Sequence, residues 1–223
     1  FARTDDGISV IEAMNGTQIA VQWGPGQPWQ DAAGWAGGAS VQVQDLEVFD
    51  NQFYGTGSIA TMAPMVFLPP RNGHVQADGF QMVVVELYEY AQELRNMDVD
   101  SEGGIVVGGV DHGIRSGVVY ISNDDPRDAY DWTQVWIDEL MGTDPTWIDG
   151  VCRDGDLIAA VGRFSTNDDP IALLSTDRGA TWKDLTPEFI TSGVASLHRC
   201  EFLDGGDTLA VAGANGFFGF YAR

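Results

Sequence analysis

A repeat restricts the fold of this chain more than any other feature of its sequence. The segment GGIVVGGVDHGIRSGVVYISNDDPRDAYDWTQV, residues 103–135, aligns with GDLIAAVGRFSTNDDPIALLSTDRGATWKDL, residues 155–185. Ile105 falls on Ile158, Ser122 on Ser175, Asp124 on Asp177 and Trp132 on Trp182, at separations of 50 to 53 residues. A third copy, GDTLAVAGANGFFGFYAR, places Leu209 another 51 residues beyond Ile158 and stops at the chain end. Each copy reads as strand, loop, strand, tight turn and a strand ending in Trp. One such unit cannot bury both of its faces, so copies must stack, and a period of this length with several strands per unit predicts a β-propeller.

The rest of the chain agrees. TQIAVQW, MVVVELY, GIVVGGV, GVVYIS, LIAAVG, IALLS, LAVAG and FFGFYA are short, apolar or β-branched, and bounded by Gly, Asp, Asn or Pro, the pattern of β-strands. YEYAQELRNM has the spacing for about two turns of helix. The expectation is one all-β domain over residues 1–223, a propeller of roughly five blades. Its clear repeats cover 94–142, 143–191 and 192–223, while 1–93 holds irregular blades and the ring closure. GISVIEA, or a strand near it, is expected to supply the outer strand that the last copy lacks.

STDRGATW, Ser175 to Trp182, resembles the Asp-box of the bacterial-neuraminidase repeat, found in sialidase-type propellers and in photosystem II assembly factors. SNDDPRDAYDW, Ser122 to Trp132, resembles a degenerate second copy with an insertion before its Trp. The residue types suit a turn. Asp177 accepts backbone N–H groups, Gly179 supplies a positive φ, and Trp182 folds back as an apolar plug. The resemblance implies that Ser175, Asp177, Gly179 and Trp182 are scaffold, because Asp-boxes lie on blade hairpins away from active sites. It also implies a protein partner, part of a membrane complex in the assembly factors.

Charge narrows the function classes. The 33 acidic residues outnumber 11 basic ones, giving a net charge of −22, and Lys183 is the sole lysine. Such a surface repels phosphate, which argues against nucleic-acid binding. It suits cations, basic partners or high salt. No apolar run of about 18 residues is present to cross a bilayer as a helix. The chain begins at Phe1, as a processed N-terminus would. Cys152 and Cys200 precede equivalent apolar strands of successive repeats, which brings them onto adjacent strands, so a disulfide and an extracytoplasmic location (periplasm, cell surface or exterior) are expected. Two separate buried thiols are the alternative.

Candidate sites are few. In DVDSEGG, Asp98, Asp100 and Glu102 alternate before Gly103 as in the first half of a calcium loop, but Gly109 stands where the bidentate Glu belongs. His74 and His112, with His198 behind them, form a weaker set for copper. Trp23, Trp29 and Trp35 lie in a Gly/Pro-rich segment fit for partner contact. The Arg-Ile-Pro signature of sialidases is missing, and so are the nucleophile-elbow, Walker and zincin motifs. The reading is therefore a non-catalytic binding or assembly module, ahead of a surface metal-binding protein and, third, a glycan-acting enzyme. The charge itself makes a prediction. Raising salt from about 0.1 M to about 1 M shortens the screening length from about 10 to about 3 Å and should raise the melting temperature. An unchanged or lowered melting temperature would show that self-repulsion is not what limits stability.

Overall fold

In the computed structural model the described residues are 41–50, 52–59, 63–68, 83–86 and 92–223 except 129, 143, 191 and 192, with short strand segments at 2–3, 8–12, 19–23 and 30–31. They form five antiparallel sheets in chain order. The first holds β1 (Ala2–Arg3), β2 (Ile8–Glu12), β3 (Ile19–Trp23) and β4 (Gln30–Asp31). The second holds β5 (Val41–Phe49), β6 (Gln52–Ile59), β7 (Ala63–Leu68) and β8 (Val83–Glu86). The third holds β9 (Gln92–Val99), β10 (Ile105–Asp111), β11 (Ser116–Ser122) and β12 (Trp132–Trp136), followed by α1 (Ile137–Met141). The fourth holds β13 (Thr146–Asp154), β14 (Leu157–Phe164), β15 (Pro170–Ser175) and β16 (Lys183–Asp184), followed by α2 (Thr186–Ile190). The fifth holds β17 (Leu197–Leu203), β18 (Thr208–Gly213) and β19 (Phe218–Ala222). Every sheet is an up-and-down meander, and the opening strands β5, β9, β13 and β17 pack one against the next. The architecture is the all-β propeller that the repeat predicts.

The middle strands show why a repeat unit cannot stand alone. All residues of β10, β11 and β15 are buried. Alternate residues of β10 serve opposite neighbours: Ile105 and Val107 join Val66, Leu94 and Met97 against the second sheet, while Val106 joins Ile148, Val151, Ile158 and Ile171 against the fourth. A third layer of Ala159, Val161, Ala172 and Leu174 with Leu197, Leu209 and Val211 joins the fourth sheet to the fifth. Each buried Val, Leu or Ile contributes about 1.5–3 kcal/mol, and the burial between sheets exists only when the neighbouring sheet is present.

Side chains of one opening strand also bind the backbone of the next. Asp45 Oδ2 accepts the Met97 N–H at 3.2 Å and bonds Asn96 Nδ2. Asn96 Oδ1 in turn accepts the Val151 N–H at 2.6 Å, and Asp98 Oδ2 accepts the Arg153 N–H at 2.7 Å. Between β13 and β17 the means differ. Gly150 stands where a Cβ would meet the His198 carbonyl oxygen at 2.6 Å, and two residues on a disulfide joins Cys152 to Cys200 with Cα atoms 5.7 Å apart. The cross-link spans 48 residues and is worth about 4 kcal/mol in the chain-entropy account.

Two expectations are corrected. Residues 92–97 of the expected helix YEYAQELRNM lie in β9, and residues 88–91 lie outside the described residues. Arg95 is an extra residue in the ladder, which shifts the alternation and puts buried Leu94 and Met97 three apart, the interval that imitates a helix. Ile8–Glu12 of GISVIEA pairs with β1 and β3 and so is not the outer strand of the fifth sheet. The binding of one strand by another can be tested. Asn96→Ala leaves the buried Val151 N–H without its acceptor and should cost about 1–3 kcal/mol, read as a lower urea midpoint with an unchanged slope. A loss within error would mean that the bond is dispensable.

Candidate functional site

Four opening strands carry the same irregularity. The ladder skips Gln44 between Val43 and Asp45, Arg95 between Leu94 and Asn96, Asp149 between Ile148 and Gly150, and His198 between Leu197 and Arg199. Such one-residue bulges re-aim a side chain. Opposite the residue before each bulge the second strand has a glycine: Gly57, Gly109, Gly162 and Gly213. At Gly109, Gly162 and Gly213 a Cβ would collide with the carbonyl oxygens of Glu93, Trp147 and Ser196. The bulge and its glycine are thus one device, repeated sheet by sheet.

Three of the bulged side chains meet. Arg95 Nη1 lies 2.7 Å from Asp149 Oδ1, and His198 Nδ1 lies 3.8 Å from Asp149 Oδ2. Arg163, at the end of β14, places its Nε 3.7 Å from Asp149 Oδ2. The Trp147 ring takes the Arg95 guanidinium at 4.6 Å and that of Arg163 at 4.7 Å, a double cation–π contact. Glu93 extends the cluster, with Arg95 Nε at 3.4 Å and His112 Nε2 at 3.0 Å. Burial raises the Glu93 carboxyl, but the Arg95 charge and the bonds from His112 and Arg95 outweigh it and hold it below the ordinary carboxylate value. Arg199 Nη1 donates to the Asp149 carbonyl at 3.2 Å. In a chain with 11 Lys and Arg, three of the arginines gather here.

The cluster leaves hydrogen-bonding capacity unused. Arg95 Nε, Arg163 Nε and Asp149 Oδ2 are buried and make no hydrogen bond among the described residues. Ser196 Oγ lies 3.0 Å from His198 Nε2, which completes a Ser-His-Asp sequence of contacts. Yet Ser196 is only 4% exposed and Asp149 is already held by Arg95, so the hydroxyl is closed to a substrate carbonyl and orients the imidazole instead.

The Asp-rich loop and the Asp-box turns occupy the other end of the sheets. Asp98 accepts N–H groups from Val99 and Arg153. Asp100 Oδ1 accepts the Glu102 and Gly104 N–H groups, and its Oδ2 lies 2.9 Å from Arg153 Nε, while Glu102 is exposed. A guanidinium thus stands beside the Asp100 carboxylate. Among the described residues no three His, Cys, Asp or Glu side chains are grouped to hold a metal ion. His112 joins the bulge cluster through Glu93; His74, Trp29 and Trp35 lie outside the described residues, and Trp23 falls on β3. In the STDRGATW turn, Ser175 Oγ accepts the Gly179 N–H at 2.8 Å, Asp177 accepts both the N–H and the hydroxyl of Thr181, and Gly179 has φ +85°. The half-buried Trp182 donates its indole N–H to the Gly179 carbonyl at 3.0 Å, and Trp132 donates likewise to Pro126 in the earlier repeat.

Several solved structures share this fold. A YCF48 structure with a bound D1 peptide superposes with a TM-score of 0.59 at 14% identity, over 98% of this chain and 62% of that one. YCF48 from Cyanidioschyzon merolae gives 0.56 at 15% identity, over 91% and 62%. The β-propeller domain of Cps50 (Swd1) from Myceliophteria thermophila gives 0.54 at 10% identity, over 93% and 66%. These likenesses define the class, a β-propeller, and the chain spans a little under two thirds of the length of each. No protein-family model and no curated protein matches the sequence.

Along the opening strands, away from the cluster, Glu47 is pushed up to about 7 by burial first and then by the charges of Asp45 and Asp98, against a smaller pull from Arg199. A carboxyl raised in the folded state stabilises below its unfolded value of about 4.5 and loses that contribution as pH rises through about 7. Glu47→Gln should therefore match the wild type near pH 5 and exceed it near pH 8 by on the order of 1 kcal/mol, screening included, or a few degrees in melting temperature. A difference independent of pH would remove Glu47 as the cause.

Proposed function

We propose that this chain is a non-catalytic, extracytoplasmic binding module that docks an extended segment of a protein partner across the bulged ends of its opening strands. One observation carries the reading: two buried arginine Nε donors and one buried carboxylate oxygen, held in ion pairs of 3.4 Å or longer but without hydrogen bonds, sit within a single cluster beside Trp147. A peptide group offers the complement of both, its carbonyl to the guanidinium and its N–H to Asp149, and buried polar atoms gain most from being satisfied. The D1 peptide held by the YCF48 propeller supports a peptide as the kind of ligand. The disulfide supports an oxidising compartment. The bonds of the Ser175–Trp182 turn support its reading as an Asp-box, with Ser122–Trp132 as the degenerate copy, and support a scaffold role for both.

Selection of a random peptide library on the wild-type protein supplies a ligand for the test. Arg163→Ala should weaken the selected peptide about tenfold or more. Trp182→Ala, which empties a half-buried site at the opposite end, should cost about 2–3 kcal/mol of stability and leave affinity per folded molecule unchanged. Full affinity in Arg163→Ala, or lost affinity in folded Trp182→Ala, would move the site away from the bulge cluster.

A further inference from the structure

The bulge cluster is close to electrical balance, although the chain as a whole is not. Three guanidinia, of Arg95, Arg163 and Arg199, stand among three carboxylates, of Glu93, Asp149 and Asp168. Arg95 pairs with Asp149 and Glu93, Arg163 lies 3.7 Å from Asp149 and 3.5 Å from Asp168, and Arg199 donates to the Asp149 carbonyl. At about pH 8, above the ordinary histidine range, these charges cancel, in a chain of net charge −22. Trp147 shapes what the arginines offer. Its ring lies 4.6 Å from the Arg95 guanidinium carbon and 4.7 Å from that of Arg163. A ring takes a guanidinium through its face, and the N–H groups, which lie in the guanidinium plane, stay free for hydrogen bonds. Arg95 Nε, Arg163 Nε and Asp149 Oδ2 make none among the described residues. Two donors and one acceptor are thus left over in a cluster of matched charge.

We infer that the docked segment presents an uncharged primary amide, the side chain of Asn or Gln, to this cluster, an inference that rests on the peptide-docking reading above. The amide oxygen has two lone pairs for the two guanidinia, and the amide nitrogen has N–H groups for Asp149. The main chain offers the same groups, but across a trans peptide they point apart, whereas a primary amide carries them on one edge. A carboxylate has the right shape and the wrong complement. It would accept from the arginines, yet it has no donor for Asp149 Oδ2, and the two carboxylates would face each other where the guanidinium charges are already matched. An ammonium fails in the opposite sense, having no acceptor for the arginines. Discrimination of this kind is strong, because the wrong group leaves buried polar atoms unpaired.

Selection of the random peptide library at about 1 M salt, where the long-range field of the acidic chain is screened to about 3 Å, reads the ligand class. Asn or Gln should be enriched at one position of the selected peptides, and its exchange for Asp or Glu should weaken binding about tenfold or more. Asp149→Asn puts a donor where the free acceptor stood, with the same shape, so it should reverse the order and bind the Asp or Glu peptide more tightly. Asp168→Asn removes a charge beside Arg163 at an exposed position. At about 0.1 M salt it should narrow the advantage of the amide about twofold, and it reads the charge balance even if Asp149→Asn does not fold. A selected pool rich in Asp or Glu, or without an enriched Asn or Gln, overturns the inference, and so does a discrimination that no folded variant changes. An acidic peptide whose binding is lost in Arg163→Ala overturns the inference alone. Affinity that survives Arg163→Ala overturns the docking reading and the inference with it.

Discussion

The free edge of each opening strand is the constraint on which the rest of the molecule depends. One edge of β9 or β13 is satisfied by the next strand of its own sheet, but the other faces its neighbours across the middle of the ring with N–H groups that must find acceptors. The chain solves this with side chains: Asp45 accepts from Met97, Asn96 from Val151 and Asp98 from Arg153. Because every acceptor belongs to the preceding sheet, satisfying the edge also fixes the spacing between sheets. The apolar layers of Ile, Val and Leu then close at a set distance, which side chains packed to crystal-like density require. At Gly150 no acceptor side chain exists; the backbones approach directly and the disulfide takes over the role of the bond.

The bulges link this scaffold to the candidate site. Asp45, Asn96 and Gly150 each follow a bulged residue immediately, so the same extra residue that sets the phase of the inter-sheet bonds leaves Gln44, Arg95 or Asp149 re-aimed at the end of the strand. Scaffold and site are therefore one device read from two neighbouring positions. Its cost is the glycine opposite, which at Gly109, Gly162 and Gly213 no side chain could replace without displacing the carbonyl two residues before the bulge. The Asp-rich turns at the other end do different work, closing hairpins with carboxylates that accept local N–H groups.

What was legible in the sequence followed from burial. The eight apolar segments read as strands each fall on a strand, and most are second or third strands, covered on both sides and so apolar throughout. The Cys152–Cys200 pair was legible because the repeat puts both at one position of successive units. The opening strands were not. VQVQDLEVF, QELRNMDV, TWIDGVCRD and LHRCEFL mix charges with apolar residues because one side faces the ring centre, and each bulge breaks the alternation that marks a strand. The cluster of Arg95, Trp147, Asp149, Arg163 and His198 was invisible for the same reason, its members standing on three sheets. One signal could have found it: Gly57, Gly109, Gly162 and Gly213 recur at separations of 52, 53 and 51 residues, each in an apolar strand where a glycine weakens the structure unless a bulge lies opposite.

The central claim is that recognition occurs at the bulged ends and that the Asp-rich turns are scaffold. Backbone hydrogen exchange, measured on the protein with and without a saturating selected peptide, tests it most directly. The account predicts slowed exchange in residues 93–96, 111–115, 147–150, 163–169 and 196–199, with no change in 100–104 and 175–182. Protection confined to the latter two segments would contradict it, because the ligand would then sit on the turns proposed as scaffold.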